Sequence, residues 1–333
     1  MPLNPGKFPL YRLPVIALQE VIKSMDLDVM FFFSLTSRKA KAMLKISIPK
    51  NYFRLKIFYL WDEKSITLKS PSSTEEWSLE FSNTVPDGSK TFQTRNVRFR
   101  YFTESFDTVN IHGNGPLEVM VRELITHLAE SLNLPKISID FQSEILPEAA
   151  LELLNHVKNL SLPMVKIELG IENISAEVYT AFLNEGPRIT KSLVMACGAE
   201  VGFQYTPSEE FRLERFEVED GNWVNLEDYI NCKRLIIHNI IRSDNMYFVN
   251  LQRKLNQFFK NWQRSGCRLE FFETYGLCHH FRGGINFDEV ILGLNGTNIT
   301  REELNNSVDI ERQDGTKATI RLRHAYLTFE IKS

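Results

Sequence analysis

Residues 8–35 read FPLYRLPVIALQEVIKSMDLDVMFFFSL, and this stretch says more about the fold than any other part of the chain. Pro14 suits the first turn of a helix, where a backbone N–H has no intrahelical partner in any case. Apolar residues then recur with the 3.6-residue period of one helical face at Val15, Leu18, Val21, Ile22 and Met25. Asp28 can cap a second helix, and Ser37 a third that runs through Leu44. The sequence therefore predicts three short helices at the N-terminus.

This N-terminal block is more apolar than so short a piece can bury by itself, since about 40 residues is near the limit for independent folding. Phe31, Phe32 and Phe33 are consecutive, and successive helical residues differ by about 100° in direction. At least one of these rings should therefore face a surface other than the block's own small core. Two interpretations stay open: the block docks on a partner protein, or it forms a helical lid on the rest of this chain.

The order of features in the block resembles an F-box. The resemblance lies in the opening Leu13-Pro14, the pair Val21-Ile22, the acid Asp28 before an apolar run, and the closing Leu35 with Ser37-Arg38. It is most similar to the nematode form that begins Phe-Pro-Leu-x-Arg-Leu-Pro. A tryptophan is common near the end of F-boxes elsewhere, whereas Lys41 and Ala42 stand there in this chain. The resemblance implies docking on a Skp-type adaptor, and through it on a cullin, by these residues: Leu13, Pro14, Leu18, Val21, Ile22, Phe31, Phe33 and Leu35.

The composition is that of an ordinary globular protein, with 43% hydrophobic and 24% charged residues in 333. The formal net charge of −3 gives no reason to expect nucleic-acid or membrane partners. No apolar run approaches the roughly 18 residues of a membrane span, and the N-terminus is a poor signal peptide. The four cysteines are scattered without a CxxC pair, which favours a reducing compartment, the cytoplasm or nucleus.

Three segments follow from the patterns along the chain, and together they predict a mixed α+β or α/β fold. Residues 8–48 form the helical block, and 50–114 read as a small antiparallel β region. From 115 to 333 helices and short strands alternate, with strand starts roughly 20–34 residues apart, as in leucine-rich-repeat-like solenoids. The alternative is a doubly wound βαβ domain, whose strands should be apolar on both faces. Because these strands alternate apolar residues with Lys, Glu, Asp and Arg, the sequence favours a one-sided sheet with a polar recognition face.

The C-terminus predicts a β-hairpin followed by one more strand. Residues 307–312 and 316–322 alternate across Gln313-Asp314-Gly315, and Asp-Gly is typical of a type I′ turn. A last strand over 326–331 would close that edge of the sheet.

The second half resembles the nematode F-box-associated region of type 2. One segment runs from Asn231-Cys232-Lys233-Arg234-Leu235 through a helix ending in Phe258-Phe259-Lys260-Asn261-Trp262 to Arg268-Leu269-Glu270. The other comprises Asp309, Ile310, Arg312 and residues 314–320. The resemblance implies a substrate-recognition subunit of a Skp–cullin–F-box ubiquitin ligase, which recruits an unidentified protein substrate and has no catalytic chemistry of its own.

Few residues suggest chemistry. The glycines form no phosphate-binding motif such as GxGxxG or GxxxxGK[ST]. His279-His280 beside Cys278 is the one compact metal-like group, but adjacent histidines on a strand point to opposite faces. We therefore expect no catalytic, metal or cofactor residues. Two other functions stay open: a non-catalytic scaffold whose N-terminal helices only cap a solenoid, and a hydrolase or nucleotide enzyme on an α/β fold.

Overall fold

The chain was analysed as a computed structural model, which describes residues 10, 13–60, 64–71, 76–84, 86–142, 145–209, 211–240, 246–275, 285–302, 305–323 and 326–332. The fold is mixed α/β, and the chain forms two compact units. Unit 1 comprises residues 1–140 and 152–164, and unit 2 comprises residues 141–151 and 165–333. No described helix is long and apolar enough to cross a membrane.

The predicted three N-terminal helices are confirmed. They are α1 (Val15–Lys23), α2 (Leu27–Thr36) and α3 (Arg38–Ser47). The hydroxyl of Ser37 caps α3 by accepting a hydrogen bond of 3.0 Å from the backbone N–H of Ala40. The expectation that Asp28 caps α2 is wrong, because the helix begins at Leu27, two residues earlier than a cap at Asp28 requires, and Asp26 occupies the cap position. Asp28 lies in the first turn instead, where a carboxylate interacts favourably with the helix dipole.

Unit 1 continues with a mixed sheet and further helices. Their bounds are β1 (Arg54–Tyr59), β2 (Lys64–Lys69), β3 (Glu76–Phe81), β4 (Lys90–Gln93), β5 (Arg98–Thr103), β6 (Thr108–Gly113), α4 (Leu117–Ser131), β7 (Lys136–Gln142) and α5 (Pro147–Asn159). Residues 141 and 142 of β7 and residues 147–151 of α5 are assigned to unit 2. The strands lie in the order β7-β1-β2-β3-β6-β5-β4. Neighbouring strands from β1 to β6 pair antiparallel, as expected for this region, except that β3 and β6 run parallel.

The core of unit 1 lies between this sheet and its helices. The buried positions of β1 are Leu55, Ile57 and Tyr59, which alternate with more exposed residues as the period of two requires. The strongly amphipathic α4 buries Val121, Leu124, Ile125 and Leu128, the same apolar face that the sequence predicts.

Unit 2 begins with strands that run parallel. The elements are β8 (Met164–Gly170), α6 (Ala176–Ile189), β9 (Ser192–Met195), β10 (Arg215–Val218), two 3₁₀ turns (Gly221–Trp223 and Leu226–Tyr229), β11 (Arg234–Ile237), α7 (Met246–Arg264) and β12 (Phe271–Thr274). Each of the strands from β8 to β12 pairs in parallel with the next. A parallel sheet needs a crossover between strands. Here α6, the segment 196–214, the two 3₁₀ turns and α7 connect the successive strands from β8 to β12.

An antiparallel meander completes unit 2. It contains α8 (Phe287–Ile291), β13 (Gly296–Glu302), β14 (Asn305–Glu311), β15 (Lys317–Arg323) and β16 (Tyr326–Ile331). The predicted hairpin of β14 and β15 and the last strand, β16, are confirmed. However, β16 does not close the edge of the sheet: it lies between β15 and β12, so the meander is joined to the parallel strands through it.

The predicted type I′ turn between β14 and β15 is wrong. Only Gly315 of the turn has a positive φ, of 86°, whereas a type I′ turn needs two such residues. The N–H of Gly315 donates to the carbonyl of Arg312 over 2.9 Å, and the N–H of Arg312 donates to that of Thr316 over 2.8 Å. The loop therefore has three residues, and its last residue is left-handed.

Candidate docking surfaces

The residues expected to bind the adaptor do not share one environment. Ile22 is 0% exposed and Phe31 is 1% exposed, so both belong to the core of unit 1. Pro14 is exposed, and the other predicted contact residues are half-buried: Leu13, Leu18, Val21, Phe33 and Leu35. A partner could contact these six in the folded chain, whereas Ile22 and Phe31 are covered.

The ring of Phe31 explains why α2 is fixed to unit 1. It lies 5.1 Å from the ring of Trp77 on β3, 5.5 Å from Phe92 on β4 and 6.0 Å from His127 on α4. Phe32 also points inward, with its ring 4.8 Å from that of Tyr101 on β5. Two of the three consecutive phenylalanines thus pack on the sheet, and Phe33 stays half-buried.

Several apolar side chains of the same helices face solvent. Val15 is 62% exposed, Ile16 76%, Val29 45% and Ile46 71%. Of the nine residues of α1, Ile22 alone is buried. Sequence reasoning missed Ile16, Val29 and Ile46 because it followed the apolar faces of the helices. An isoleucine or valine that lies outside the apolar face of a predicted helix is the sequence feature that could have identified these three residues.

A polar cleft of about 740 Å³ lies among α2, α3, the turn between β4 and β5, and α4. Inside it the hydroxyl of Ser34 lies 2.6 Å from Nε2 of His127. Lys41 pairs with Glu130, which also lies 3.8 Å from the guanidinium of Arg95. Lys41 therefore joins α3 to α4.

The electrostatics of this cleft keep His127 neutral. Burial, reinforced by the positive charge of Lys41, lowers the pKa of His127 to about 4. Ser34 is only 4% exposed, and its hydroxyl is also 2.5 Å from the carbonyl oxygen of Phe31. The contact between Ser34 and His127 links α2 to α4.

The parallel strands of unit 2 have one apolar and one mixed face. The apolar positions are fully buried: Ile167, Leu193, Phe216, Leu235 and Phe272. On the other face Lys166 pairs with Glu168, and Arg215 with Glu217 at 2.5 Å. The face is less polar than the sequence suggested, because Val194 and Ile236 also lie on it and are buried. It presents paired charges among apolar side chains.

A second polar group lies at the carboxyl ends of β10, β11 and β12. Nε2 of His238 lies 3.2 Å from Oε1 of Glu217, and the imidazole stacks on the ring of Tyr275 at 4.9 Å. The hydroxyl of Tyr275 donates to Glu273, and that hydrogen bond raises the pKa of Tyr275 to about 12. The phenol therefore stays protonated, and the group can offer hydrogen bonds to a ligand.

The structure brings together the two C-terminal segments that carry the family resemblance. The indole N–H of Trp262 donates to the carbonyl of Leu269 over 3.2 Å, and the guanidinium of Arg312 lies 5.3 Å from the Trp262 ring. Arg312 also donates to the carbonyl of Cys267 over 2.9 Å and pairs with Asp314 at 2.7 Å. These residues join the hairpin to α7 and β12, and their role is structural.

Asp309 on β14 also anchors this hairpin. Its carboxylate accepts hydrogen bonds from Thr319 and Asn298, each over 2.8 Å, and lies 2.7 Å from the ammonium of Lys332. Although partial burial opposes ionisation, these partners lower the pKa of Asp309 to about 2. Asp309 therefore stays charged in any neutral solution.

No metal or thiol chemistry emerges from the described part of the chain. Its His, Cys, Asp and Glu residues include no group of three or more that could hold a metal ion. Cys197, Cys232 and Cys267 are free and buried, and burial raises the pKa of Cys197 and Cys232 to about 12, where a thiol is unreactive. Cys278, His279 and His280, like residues 8, 9, 11 and 12 of the N-terminal motif, lie outside the described residues.

Comparison with known proteins gives a nematode relative of similar length. The chain is 23% identical over 351 aligned residues to the Skn-1 dependent zygotic transcript 15 protein of Caenorhabditis elegans. That alignment covers 94% of this chain and 93% of that protein. No family model matches the chain, and no solved structure matches it.

Proposed function

We propose that this chain is a non-catalytic substrate-recognition subunit of a Skp–cullin–F-box ubiquitin ligase. Its three N-terminal helices would be an F-box that docks on a Skp-type adaptor, and through it on a cullin. Unit 2 would recruit a protein substrate. A receptor of this kind works in the cytoplasm or nucleus, where buried free cysteines such as Cys197 and Cys232 stay reduced.

The observation that carries the proposal is the apolar surface of the N-terminal helices. Four of the eleven large hydrophobic side chains that are exposed among the described residues lie within α1, α2 and α3. They are Val15, Ile16, Val29 and Ile46. Exposed apolar side chains concentrated in one short segment are typical of a protein interface. Because the core residues Ile22 and Phe31 stay inside, a partner can bind without unfolding the helices.

We also propose that the parallel strands of unit 2 form a leucine-rich-repeat-like solenoid. The support is that β8 to β12 run parallel in sequence order, with starts at Met164, Ser192, Arg215, Arg234 and Phe271. The 3₁₀ turns that replace a helix after β10 are short connections compatible with such a repeat. The mixed face of these strands would then be available to a substrate.

The adaptor proposal is tested by measuring the affinity of the purified full chain for a purified Skp-type adaptor. Ile16→Asp is the main variant, because its side chain is 76% exposed and the change should leave the fold intact. Burying an isoleucine contributes about 1.5–3 kcal/mol. We therefore expect the variant to bind at least about tenfold more weakly, since each 1.4 kcal/mol changes an affinity tenfold.

The matched control is Leu292→Asp, at an apolar side chain of unit 2 that is 62% exposed. It introduces the same charge on another surface, and it should bind the adaptor as well as the parent does. Circular dichroism and thermal melting of both variants establish that they are folded. If the full chain shows no adaptor binding, the proposal is wrong. If Ile16→Asp binds the adaptor as tightly as the parent does, the docking surface does not include Ile16.

The packing of Phe31 and Ile22 favours a second candidate, a protein-interaction scaffold whose N-terminal helices only cap the domain. In that case the helices would be needed for folding and not for an adaptor. A truncation that starts at Lys50 cannot distinguish the two functions, because it would uncover Trp77, Phe92 and His127. Adaptor binding by the folded full chain distinguishes them, because a chain whose N-terminal helices only cap the domain would bind no adaptor. Ile16→Asp then locates the docking surface, since it changes the surface and leaves the core in place.

A further inference from the structure

A cleft of about 410 Å³ in unit 2 is separate from the surfaces described above. It lies where β9, β10 and β11 end, and it is lined by residues of the loops 199–206 and 220–228 and by Ile240. In open α/β sheets the carboxyl ends of parallel strands are where ligands usually bind, because the connecting loops diverge there. The position in the fold therefore marks this cleft as a binding site.

Aromatic rings form the apolar wall of the cleft. Trp223 has the rings of Phe203 at 5.3 Å and Tyr205 at 6.2 Å, both nearly perpendicular to the indole. Tyr179 lies behind it at 5.8 Å and is fully buried. The hydroxyl of Tyr205 is held by acceptors on α6, the carbonyl of Leu183 at 3.2 Å and Oδ1 of Asn184 at 3.0 Å. The rings are thus fixed against one another before any ligand arrives.

Carboxylates form the polar rim. Asp220, Asp228 and Glu200 line the cleft, and no described lining residue carries a positive charge. Their hydrogen-bond donors are neutral amides: the side chain of Asn222 for Asp220, the side chain of Asn225 for Asp228 at 3.0 Å, and the backbone N–H of Ala176 for Glu200 at 3.2 Å. No lysine, arginine or histidine is among the described lining residues, so the acidic side chains place a negative potential over the aromatic rings.

We propose that this cleft binds the cationic side chain of a lysine or arginine on a partner protein, a role that rests on the proposed function of the chain as a substrate receptor. An ammonium or guanidinium is attracted to the faces of aromatic rings, most strongly to tryptophan, and the attraction grows when water is excluded. The carboxylates at the rim supply the charge complementarity, and the rings accommodate the alkyl stem of the side chain.

The proposal is tested by calorimetric titration of the full chain with short Gly/Ser peptides that differ at one central residue. The four peptides carry lysine, arginine, trimethyllysine or the neutral isostere norleucine. We expect the cationic peptides to bind at least fivefold more tightly than the norleucine peptide, and their affinity to fall as salt is raised. Tetramethylammonium is titrated separately as a free cation without a peptide.

Two variants locate the binding. Trp223→Leu removes the largest ring, and Asp228→Asn removes one charge of the exposed rim; each should weaken binding of the cationic peptides at least fivefold. Asp288→Asn is the control, because it removes an exposed carboxylate of unit 2 elsewhere, and it should bind as the parent does. Circular dichroism shows whether each variant is folded. If Trp223→Leu does not fold, the test depends on Asp228→Asn.

Each other outcome overturns the proposal in a defined way. Equal binding of the norleucine peptide means that the cleft is an apolar slot. Binding of tetramethylammonium when none of the cationic peptides binds means that the cleft takes a small ammonium compound and not a protein side chain. If neither the peptides nor tetramethylammonium bind, the cleft is not a binding site for cations. Because no adaptor is present in these titrations, their failure is distinguishable from failure of the adaptor experiment.

Discussion

Acidification should destabilise this protein through one buried histidine, His127 on α4. The side chain is 8% exposed, it contacts the hydroxyl of Ser34 at 2.6 Å, and the Phe31 ring lies against it. Lys41 from α3 adds a positive charge nearby, which its pairing with Glu130 offsets in part. Burial first, and Lys41 second, lower the pKa of His127 from 6.5 to about 4.

Proton linkage gives the sign and the size of the change in the free energy of unfolding with pH. Above pH 6.5 His127 is neutral in both the folded and the unfolded chain, so it contributes no pH dependence. Between pH 6.5 and about 4 the unfolded chain binds a proton that the folded chain does not, so the free energy of unfolding falls as the pH falls. The pKa of His127 differs between the unfolded chain, at 6.5, and the folded chain, at about 4. At about 1.4 kcal/mol for each pKa unit, this difference lowers the free energy of unfolding by about 3 kcal/mol once the pH has fallen below both values.

The measurement is urea unfolding at several pH values between 7.5 and 4.5, for the parent chain and for His127→Gln. Glutamine does not titrate and can still bond to Ser34. The carboxylates titrate in both proteins, so the difference between the two curves isolates His127. We expect the parent to lose about 2–3 kcal/mol more than the variant over this range. Parallel curves would show that His127 binds its proton at the same pH in the folded and the unfolded chain, and the account of the cleft would then be wrong.

Two further predictions concern the stability of the two units, one for each unit. Phe31→Ala should lower the free energy of unfolding by about 3–5 kcal/mol, because it leaves a cavity among Trp77, Phe92 and His127; Phe33→Ala, at a half-buried ring, should lower it by less than half as much, and equal losses would contradict this packing. Arg312→Ala should cost about 1–3 kcal/mol in urea unfolding, because the carbonyl of Cys267 loses its donor. Arg301→Ala removes an exposed pair with Asp288 and should cost under about 1 kcal/mol.

The local features of the fold were predictable because they depend on neighbours in the sequence. The cap of α3 at Ser37, the apolar face of α4 and the bounds of β16 follow from capping and periodicity. The place of β16 in the sheet does not, since it depends on pairing with β12, far away in the sequence. A pattern of alternating residues specifies a strand and leaves its partner open.

The turn at Gln313-Asp314-Gly315 shows how one side chain can override a dipeptide rule. Asp-Gly favours a type I′ turn when nothing else holds the aspartate. Here the carboxylate of Asp314 accepts hydrogen bonds from the guanidinium of Arg312 at 3.0 Å and from the N–H of Thr316 at 2.9 Å. These bonds fix Asp314 at a negative φ, so Gly315 alone takes the left-handed conformation. The pairing with Arg312 could not be read from the two-residue motif.

The N-terminal helices show how far a docking surface can be predicted from the sequence. Periodicity predicts one apolar face of α1, but of that face only Ile22 is buried in the helix and Val15 is 62% exposed. How much of an apolar face is covered depends on what the rest of the chain packs against it. If adaptor docking needed Phe31, binding would first have to extract that ring at about 3–5 kcal/mol, which would weaken the affinity by about a hundredfold or more. Docking through Ile16, Val29 and Ile46 needs no such extraction, because these side chains already face solvent. The same helices can then fasten unit 1 from one side and bind a partner from the other.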